Sequence, residues 1–111
     1  MAPPAGTFLA QVRNGAMHFP PPLKRYCEAE GWSLFQFVVI DNDHLTMQPV
    51  LPGDSDADFH ASLEPDGRLW IPADLRKAVA LGEQSVMLRI ENGAIEVYIR
   101  KVFDTLGFRP G

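Results

Sequence analysis

Short stretches in which apolar and polar residues alternate recur along the chain, separated by turn residues. Two of them, "FHASLEP" and "RLWIP", fall within residues 59–72 and alternate with a period of two, which is typical of half-buried β-strands. The alternation places Leu69 and Ile71 on one face of the second strand and Arg68 and Trp70 on the other. The Asp-Gly dipeptide between the stretches favours a tight turn. The pattern therefore predicts a pair of strands joined by a hairpin turn.

Proline ends this pair of strands and opens a segment with helical spacing, "PADLRKAVALG". Proline is well tolerated at a helix start because its missing N–H would have no partner there. Leu75 and Val79 form an apolar stripe, Arg76 and Lys77 point elsewhere, and Gly82 is the expected helix stop. Two further strands, "SVMLRI" and "AIEVYI", surround an Asn-Gly turn. The predicted order for this half is β-β-α-β-β.

The first half of the chain repeats this order. Gly15, Pro20 and Leu23 align with Gly67, Pro72 and Leu75, each pair at an offset of 52 residues. The segments "TFLAQVR", "AMHFP", "PPPLKRYCEAEG", "FQFVVI" and "HLTMQPV" correspond to the strands and helix of the second half. So many matches in one register indicate a duplication.

The 111 residues are enough for one compact domain. We expect a single domain over 1–111, with repeat one at about 7–50, an acidic linker at 51–58, repeat two at about 59–102 and a short tail at 103–111. One repeat cannot bury its own apolar faces, whereas two stacked repeats can. We therefore expect a mainly β fold with short helices, in which tandem β-β-α-β-β repeats form one small barrel with pseudo-twofold symmetry.

Charge and hydropathy limit the classes of function. The net charge of −4 argues against unspecific nucleic-acid binding. Residues 1–58 hold three cations and seven acids, whereas residues 59–111 hold seven of each, so an anion-binding surface should lie mainly in the second half. The apolar runs are too short to span a bilayer and the N-terminus lacks the features of a secretory signal. We expect a cytoplasmic protein without a membrane partner.

Candidate chemistry is sparse. Cys27 is the single cysteine and is expected to be a small buried apolar side chain. His18, His44 and His60 are far apart in sequence, and none has a second ligand at metal spacing. We expect no enzyme activity, no metal and no cofactor. Trp70 is expected to be partly exposed near Arg68 and to pack on the helix or on a neighbouring subunit.

The stretch "LEPDGRLWIPADLRKAV", residues 63–79, resembles the signature of the swapped-hairpin AbrB superfamily, and of MraZ-type transcriptional regulators in particular. The shared positions are an acid, a turn glycine, an arginine, an Ile-Pro pair and a Leu-Arg pair on the helix: Glu64 or Asp66, Gly67, Arg68, Ile71-Pro72 and Leu75-Arg76. The resemblance extends over about 8–102 and is weaker in the first repeat. It implies that the two repeats interleave their hairpins into one swapped-hairpin (double-split) β-barrel.

In that family, arginines of the turn-strand and cations of the helix start face DNA. The resemblance assigns this role to five basic residues: Arg68, Arg76, Lys77, Lys24 and Arg25. Arg68 suits a bidentate base contact, and the helix cations suit phosphates, joined by Arg89 if it shares their face. Ala16 replaces the turn arginine in repeat one, where Arg13 is a substitute. The implied partner is duplex DNA upstream of the protein's own operon, bound by a nucleoid-associated homo-oligomer.

Two alternatives remain open. The acidic first half and the apolar tail fit a protein-interaction or oligomerisation module that kept the barrel without binding DNA. An antitoxin-like protein, in which the barrel binds DNA and the tail contacts a protein partner, is the third interpretation. A DNA binder should present the cations of repeat two on one exposed face with few carboxylates beside them. An interaction module should pair those cations, as Lys24 with Glu28 at helical spacing, and expose an apolar patch.

Overall fold

The computed structural model describes residues 6–51, 59–79 and 81–99. Their elements, in chain order, are β1 (Phe8–Arg13), β2 (Ala16–His18), α1 (Pro21–Glu30), β3 (Leu34–Asp41), β4 (His44–Val50), β5 (His60–Ser62), β6 (Arg68–Trp70), α2 (Ala73–Ala78), β7 (Gln84–Glu91) and β8 (Ala94–Tyr98). The predicted order β-β-α-β-β, twice, is therefore confirmed. The predicted acidic linker, apart from Leu51, and the predicted tail at 103–111 lie outside the described residues.

All eight strands belong to one antiparallel sheet with the order β5-β3-β4-β8-β7-β1-β2-β6. The two end strands, β5 and β6, meet at an isolated bridge between Leu63 and Leu69. The sheet is therefore nearly closed into a barrel, which confirms a mainly β fold with two short helices. Closure leaves few strand edges unpaired, and unpaired edges are the usual sites of unwanted strand pairing.

The two halves of the chain supply each other's strand partners. β1 of the first half pairs with β7 of the second, and β5 of the second half pairs with β3 of the first. β2 pairs with β6, and β4 pairs with β8. Because the sheet is completed only by pairing between the halves, we expect the two halves to fold together.

The β2–β6 pair joins the halves reciprocally. The Phe19 N–H donates to the Gly67 carbonyl at 2.9 Å, and the Ile71 N–H donates to the Gly15 carbonyl at 2.9 Å. Phe19 corresponds to Ile71, and Gly15 corresponds to Gly67, at the repeat offset of 52 residues. The register of this strand pair therefore follows the sequence repeat and has local twofold symmetry.

Two hairpin turns form where Asn-Gly dipeptides predict them. Asn14 and Gly15, with φ of 52° and 81°, join β1 to β2. Asn92 and Gly93, with φ of 51° and 73°, join β7 to β8. Positive φ at both central residues is the signature of the type I′ turn, whose twist matches that of the flanking strands.

The predicted hairpin around Asp66 and Gly67 is splayed. The Glu64 N–H donates to the Arg68 carbonyl at 2.7 Å beside the turn. Farther from the turn the two strands separate, since β5 pairs with β3 and β6 pairs with β2. The alternating pattern predicts both strands here, but their main partners lie in the first half of the chain.

Helix α1 follows the predicted pattern. Leu23 and Cys27 are fully buried. The helix ends at Gly31, whose φ of 74° is left-handed, and the Trp32 N–H donates to the Cys27 carbonyl at 2.8 Å. This is a Schellman-type end, which a glycine at that position favours.

Helix α2 buries Leu75, and Val79 is buried just beyond the helix. The prediction that it runs to Gly82 is wrong, since it ends at Ala78. The Leu81 N–H, which lies beyond the helix, donates to the Arg76 carbonyl at 2.8 Å and so gives a carbonyl of the last turn its hydrogen-bond partner. Neither helix of the described chain has the length and apolar character needed to cross a bilayer.

The interior is filled by apolar side chains from both halves. The largest fully buried side chains are Phe35, Met17, Leu23, Leu45, Met47, Leu69, Leu75, Leu88, Ile95, Ile99, Val12 and Val86. Burial of such side chains is the main favourable term in folding, at roughly 25 cal/mol per Å² of apolar surface. Cys27 lies among them as predicted, and its burial, with a smaller effect of Glu28, raises the pKa of the thiol to about 12.

Gly67→Ala should lower the free energy of unfolding by about 1–3 kcal/mol, the range for backbone strain at one residue. The φ of Gly67 is +91°, and a Cβ there would lie 3.3 Å from the Lys24 Cδ. Urea denaturation measures the change. Gly82→Ala is the matched control, because no heavy atom lies within 4 Å of its Cβ position. Equal losses in the two variants would contradict a special backbone requirement at Gly67.

Cys27 should react slowly with a disulfide reagent in the folded protein at mildly alkaline pH. Its side chain is buried, and a pKa of about 12 leaves little of the reactive thiolate. A colorimetric thiol assay with and without urea measures the protection. Reaction of the folded protein at the rate seen in urea would contradict the packing of α1.

Candidate nucleic-acid interface

Strands β2 and β6 have one side in the core and the other facing solvent. Met17 and Leu69, which lie opposite each other, are fully buried. Alternation turns His18, Arg68 and Trp70 outward, and all three are exposed. The predicted orientation of Arg68 and Trp70 is therefore confirmed.

Two cross-strand rows run over this solvent side. One row consists of Gln11 in β1, His18 in β2 and Arg68 in β6. The other consists of Arg13, Ala16 and Trp70, and in this row Ala16 is buried between the exposed Arg13 and Trp70. We call these residues the outer face. The face brings His18 of β2 beside Arg68 of β6, whereas Arg13 of β1 lies in the other row, two strands from β6.

Two neighbours orient Arg68. Its Nε donates to Asp66 Oδ2 at 2.7 Å, and its Cζ lies 5.3 Å from the centre of the Trp70 ring. Asp66 also accepts the backbone N–H of Arg68 at 3.0 Å, and these interactions, the backbone hydrogen bond first, lower the pKa of the carboxyl. The ion pair is exposed and adds little stability. Its effect is to hold the guanidinium over the turn, beside the indole ring.

The helix cations Lys24 and Arg76 each reach the turn of the other half. A Cβ on Gly15 would lie 3.3 Å from the Arg76 Cζ, and a Cβ on Gly67 would lie 3.3 Å from the Lys24 Cδ. Lys24 and Arg76 are equivalent at the repeat offset, so both contacts follow the local twofold symmetry. Lys24 Nζ is also 3.3 Å from Glu28, the helical pair that the spacing predicts.

Arg76 and Lys77 border a shallow groove of about 330 Å³ next to α2. The Arg76 Nε donates to the Ile71 carbonyl at 3.3 Å, which holds the half-buried guanidinium along the chain. Lys77 is exposed and forms no hydrogen bond or ion pair with any residue that the structure describes. Lys77 can therefore bind an anion without first breaking an internal pair.

The other predicted cations are distributed unevenly. Arg13 and Arg25 are exposed, and neither forms an ion pair within residues 6–51, 59–79 and 81–99. Arg13 lies on the outer face, whereas Arg25 lies on α1. Arg89 does not join them, because it lies opposite Glu96 on the β7–β8 pair and its Nε is 3.1 Å from Glu91.

Carboxylates lie at the same turns as the cations. Asp66 pairs with Arg68, Glu28 pairs with Lys24, and Glu83 accepts the Asn14 N–H at 3.0 Å. The expectation of few carboxylates beside the cations of a DNA binder is therefore not met. The potential of the outer face is weakened, so an anionic partner must be recognised largely by the placement of individual side chains.

A second polar cluster lies on β4 and β8. His44 Nε2 is 2.5 Å from Glu96 Oε1, and Thr46 donates to the same oxygen at 2.9 Å. The His44 ring stacks on Tyr98 with 4.6 Å between ring centres. No group of three His, Cys, Asp or Glu in the described chain could hold a metal ion. We interpret the cluster as a cross-strand contact that stabilises the β4–β8 pair.

The end of β3 exposes a short apolar segment. Val38, Val39 and Ile40 are 37%, 43% and 54% exposed, and they follow one another in the chain. The β3–β5 register ends at Gln36, so no described strand pairs with that side of β3 beyond it. This segment is the nearest match to the apolar patch expected of an interaction module.

His18 and Gln11 were not predicted as site residues. The repeat offset, which aligns His18 with Trp70, suggests surface packing of His18 more than chemistry. Its position beside Arg68 depends on the β2–β6 register, which no local pattern encodes. Comparison of the chain with known protein families and with curated proteins finds no match.

Proposed function

We propose that the protein binds duplex DNA through the outer face and the two turns beside it. The observation that carries the proposal is the exposed guanidinium of Arg68, oriented by Asp66 and Trp70 at a locally twofold-symmetric strand pair. The helix cations Arg76 and Lys24 lie beside the turns of Gly15 and Gly67, at the two ends of that strand pair. Since duplex DNA also has local twofold symmetry, a surface of this kind can meet both strands in equivalent ways.

Each cation has a distinct contact in this proposal. Arg68 presents a planar fork of donors that suits the O6 and N7 acceptors of guanine. Lys77 and Arg76 contact backbone phosphates from the groove beside α2, and Lys24 and Arg25 do so from α1. Arg68 pairs with Asp66, and Lys24 pairs with Glu28. Because both carboxylates repel phosphate, these ion pairs must break on binding, or the DNA must lie clear of the two carboxylates.

Arg13 replaces the turn arginine that the first repeat lacks. Ala16 occupies the position equivalent to Arg68, and Arg13 of β1 lies directly opposite Ala16. A neighbouring strand thus supplies the missing charge, and the small Ala16 side chain leaves room for it. This placement supports a contact from Arg13 in the proposed interface.

The strand pairing also supports a finer description of the fold. Exchange of β1 and β5 between the halves, through the β1–β7 and β5–β3 pairs, fits a swapped-hairpin (double-split) β-barrel made by two repeats of one chain. That barrel and the sequence of residues 63–79 favour an MraZ- or AbrB-like transcriptional regulator. On this proposal the protein acts in the cytoplasm on DNA upstream of its own operon, as a homo-oligomer.

A second candidate function is a protein-interaction module without DNA binding. The ion pairs of Arg68 and Lys24 and the exposed segment of Val38, Val39 and Ile40 favour it. An antitoxin-like protein would combine this surface with DNA binding. We rank DNA binding first, because a pure interaction module gives no reason for Arg13, Arg68 and Lys77 to be exposed around one strand pair.

Arg68→Ala should weaken binding to a labelled duplex from upstream of the coding region. Loss of a base contact of this kind raises the Kd roughly 5- to 150-fold, the equivalent of about 1–3 kcal/mol. Fluorescence anisotropy, titrated at several salt concentrations, measures the affinity and its salt slope.

Arg89→Ala is the matched control, since it removes an exposed, carboxylate-paired arginine away from the outer face. It should leave the Kd near that of the unmodified protein. Failure of the unmodified protein to bind the upstream duplex or random duplex at low salt would reject DNA binding and favour the interaction module.

A further inference from the structure

The placement of His18 on the outer face suggests a function beyond surface packing. The Phe19–Gly67 and Ile71–Gly15 backbone bonds show which pairs of β2 and β6 are hydrogen-bonded. Since hydrogen-bonded and non-hydrogen-bonded pairs alternate, the His18–Arg68 pair between them is non-hydrogen-bonded. Opposed Cα atoms in such pairs are only about 4.5 Å apart, and their side chains stand closest. The side chains of His18 and Arg68 therefore leave the sheet side by side on its solvent side.

The neighbouring strands leave His18 without a carboxylate partner. β2 is flanked by β1 and β6. From β1, the neutral Gln11 lies opposite His18, and its amide nitrogen donates to Ser85 Oγ at 2.8 Å. From β6, Arg68 lies opposite His18, and its Nε is bound to Asp66. Within the described chain, His18 has no hydrogen bond or ion pair of its own, so its ring is free to contact a ligand.

We infer that His18 binds a DNA phosphate next to the base contact of Arg68, and that His18 is protonated when it does. This inference rests on the proposed DNA binding. A protonated imidazole attracts a phosphate, whereas a neutral one carries no charge to do so, and bound DNA therefore favours the protonated form. Binding of DNA then takes up a proton at the imidazole. Linkage is reciprocal: if DNA binding favours protonation of the imidazole, protonation at lower pH must tighten DNA binding by the same factor.

His18 gives the first repeat a DNA contact on the outer face, although that repeat lacks the turn arginine. Repeat one has Ala16 in place of that arginine, but its next outward residue is His18. The local twofold symmetry sets His18 directly beside the Arg68 of the other repeat. The contacts of the two halves with DNA are thus adjacent, and the strength of the contact from His18 depends on pH.

The test measures anisotropy of the upstream duplex with the full chain at fixed salt, over a pH range of about 5.5 to 8 in which histidine gains its proton. For the unmodified protein we expect the Kd to fall roughly 3- to 10-fold as the pH is lowered. His18→Gln should bind with little pH dependence, at the weaker affinity. His18→Lys, which is charged throughout, should bind tightly at every pH in the series.

His60→Gln is the matched control, because His60 lies on β5 opposite Gln36, away from β2. It should keep the pH dependence of the unmodified protein. His44 stays in every variant, so any contribution from it remains in the His18→Gln profile. Calorimetric titration in two buffers of different ionisation enthalpy should show proton uptake that His18→Gln abolishes.

Three outcomes separate this inference from the proposed function. Binding that Arg68→Ala weakens but that is independent of pH would overturn the role of His18 and leave DNA binding intact. A pH dependence that is as large in His18→Gln as in the unmodified protein would do the same. Absence of binding by every variant at every pH would overturn both.

Discussion

The pairing of β2 with β6 is the interaction on which the rest of the structure depends. Two reciprocal backbone hydrogen bonds at 2.9 Å, from Phe19 to Gly67 and from Ile71 to Gly15, join the halves of the chain. The same register closes the core over Met17 and Leu69 and brings each turn to the helix of the other half. The core and the outer face are therefore two sides of one strand pair.

The outer face differs between the two halves of the chain. The second repeat presents an arginine held between a carboxylate and an indole, whereas the first presents an alanine and a histidine at the equivalent positions. Carboxylates at the turns keep the local field weak, in agreement with the overall net charge of −4. Under the proposed function, selectivity comes from the geometry of a few contacts more than from attraction to any polyanion.

Local features were predictable from the sequence, and long-range ones were not. Period-two alternation is a property of a single strand, so the outward orientation of Arg68 and Trp70 could be predicted. Positive φ at an Asn-Gly dipeptide is equally local. Pairing between the halves is expected only from the family resemblance, not from any local pattern. The splayed second hairpin and the proximity of His18 to Arg68 depend on registers between distant segments. No propensity indicates that α2 ends at Ala78 or that the Leu81 N–H donates to the Arg76 carbonyl.

The most direct test of the proposed interface is a titration of isotope-labelled protein with the upstream duplex, followed residue by residue through backbone amide chemical shifts. Binding through the outer face predicts that the largest changes fall on β2 and β6, on the two turns that contain Gly15 and Gly67, and on α2 around Lys77. Changes centred on Val38, Val39 and Ile40, or no changes at any DNA concentration, would contradict it.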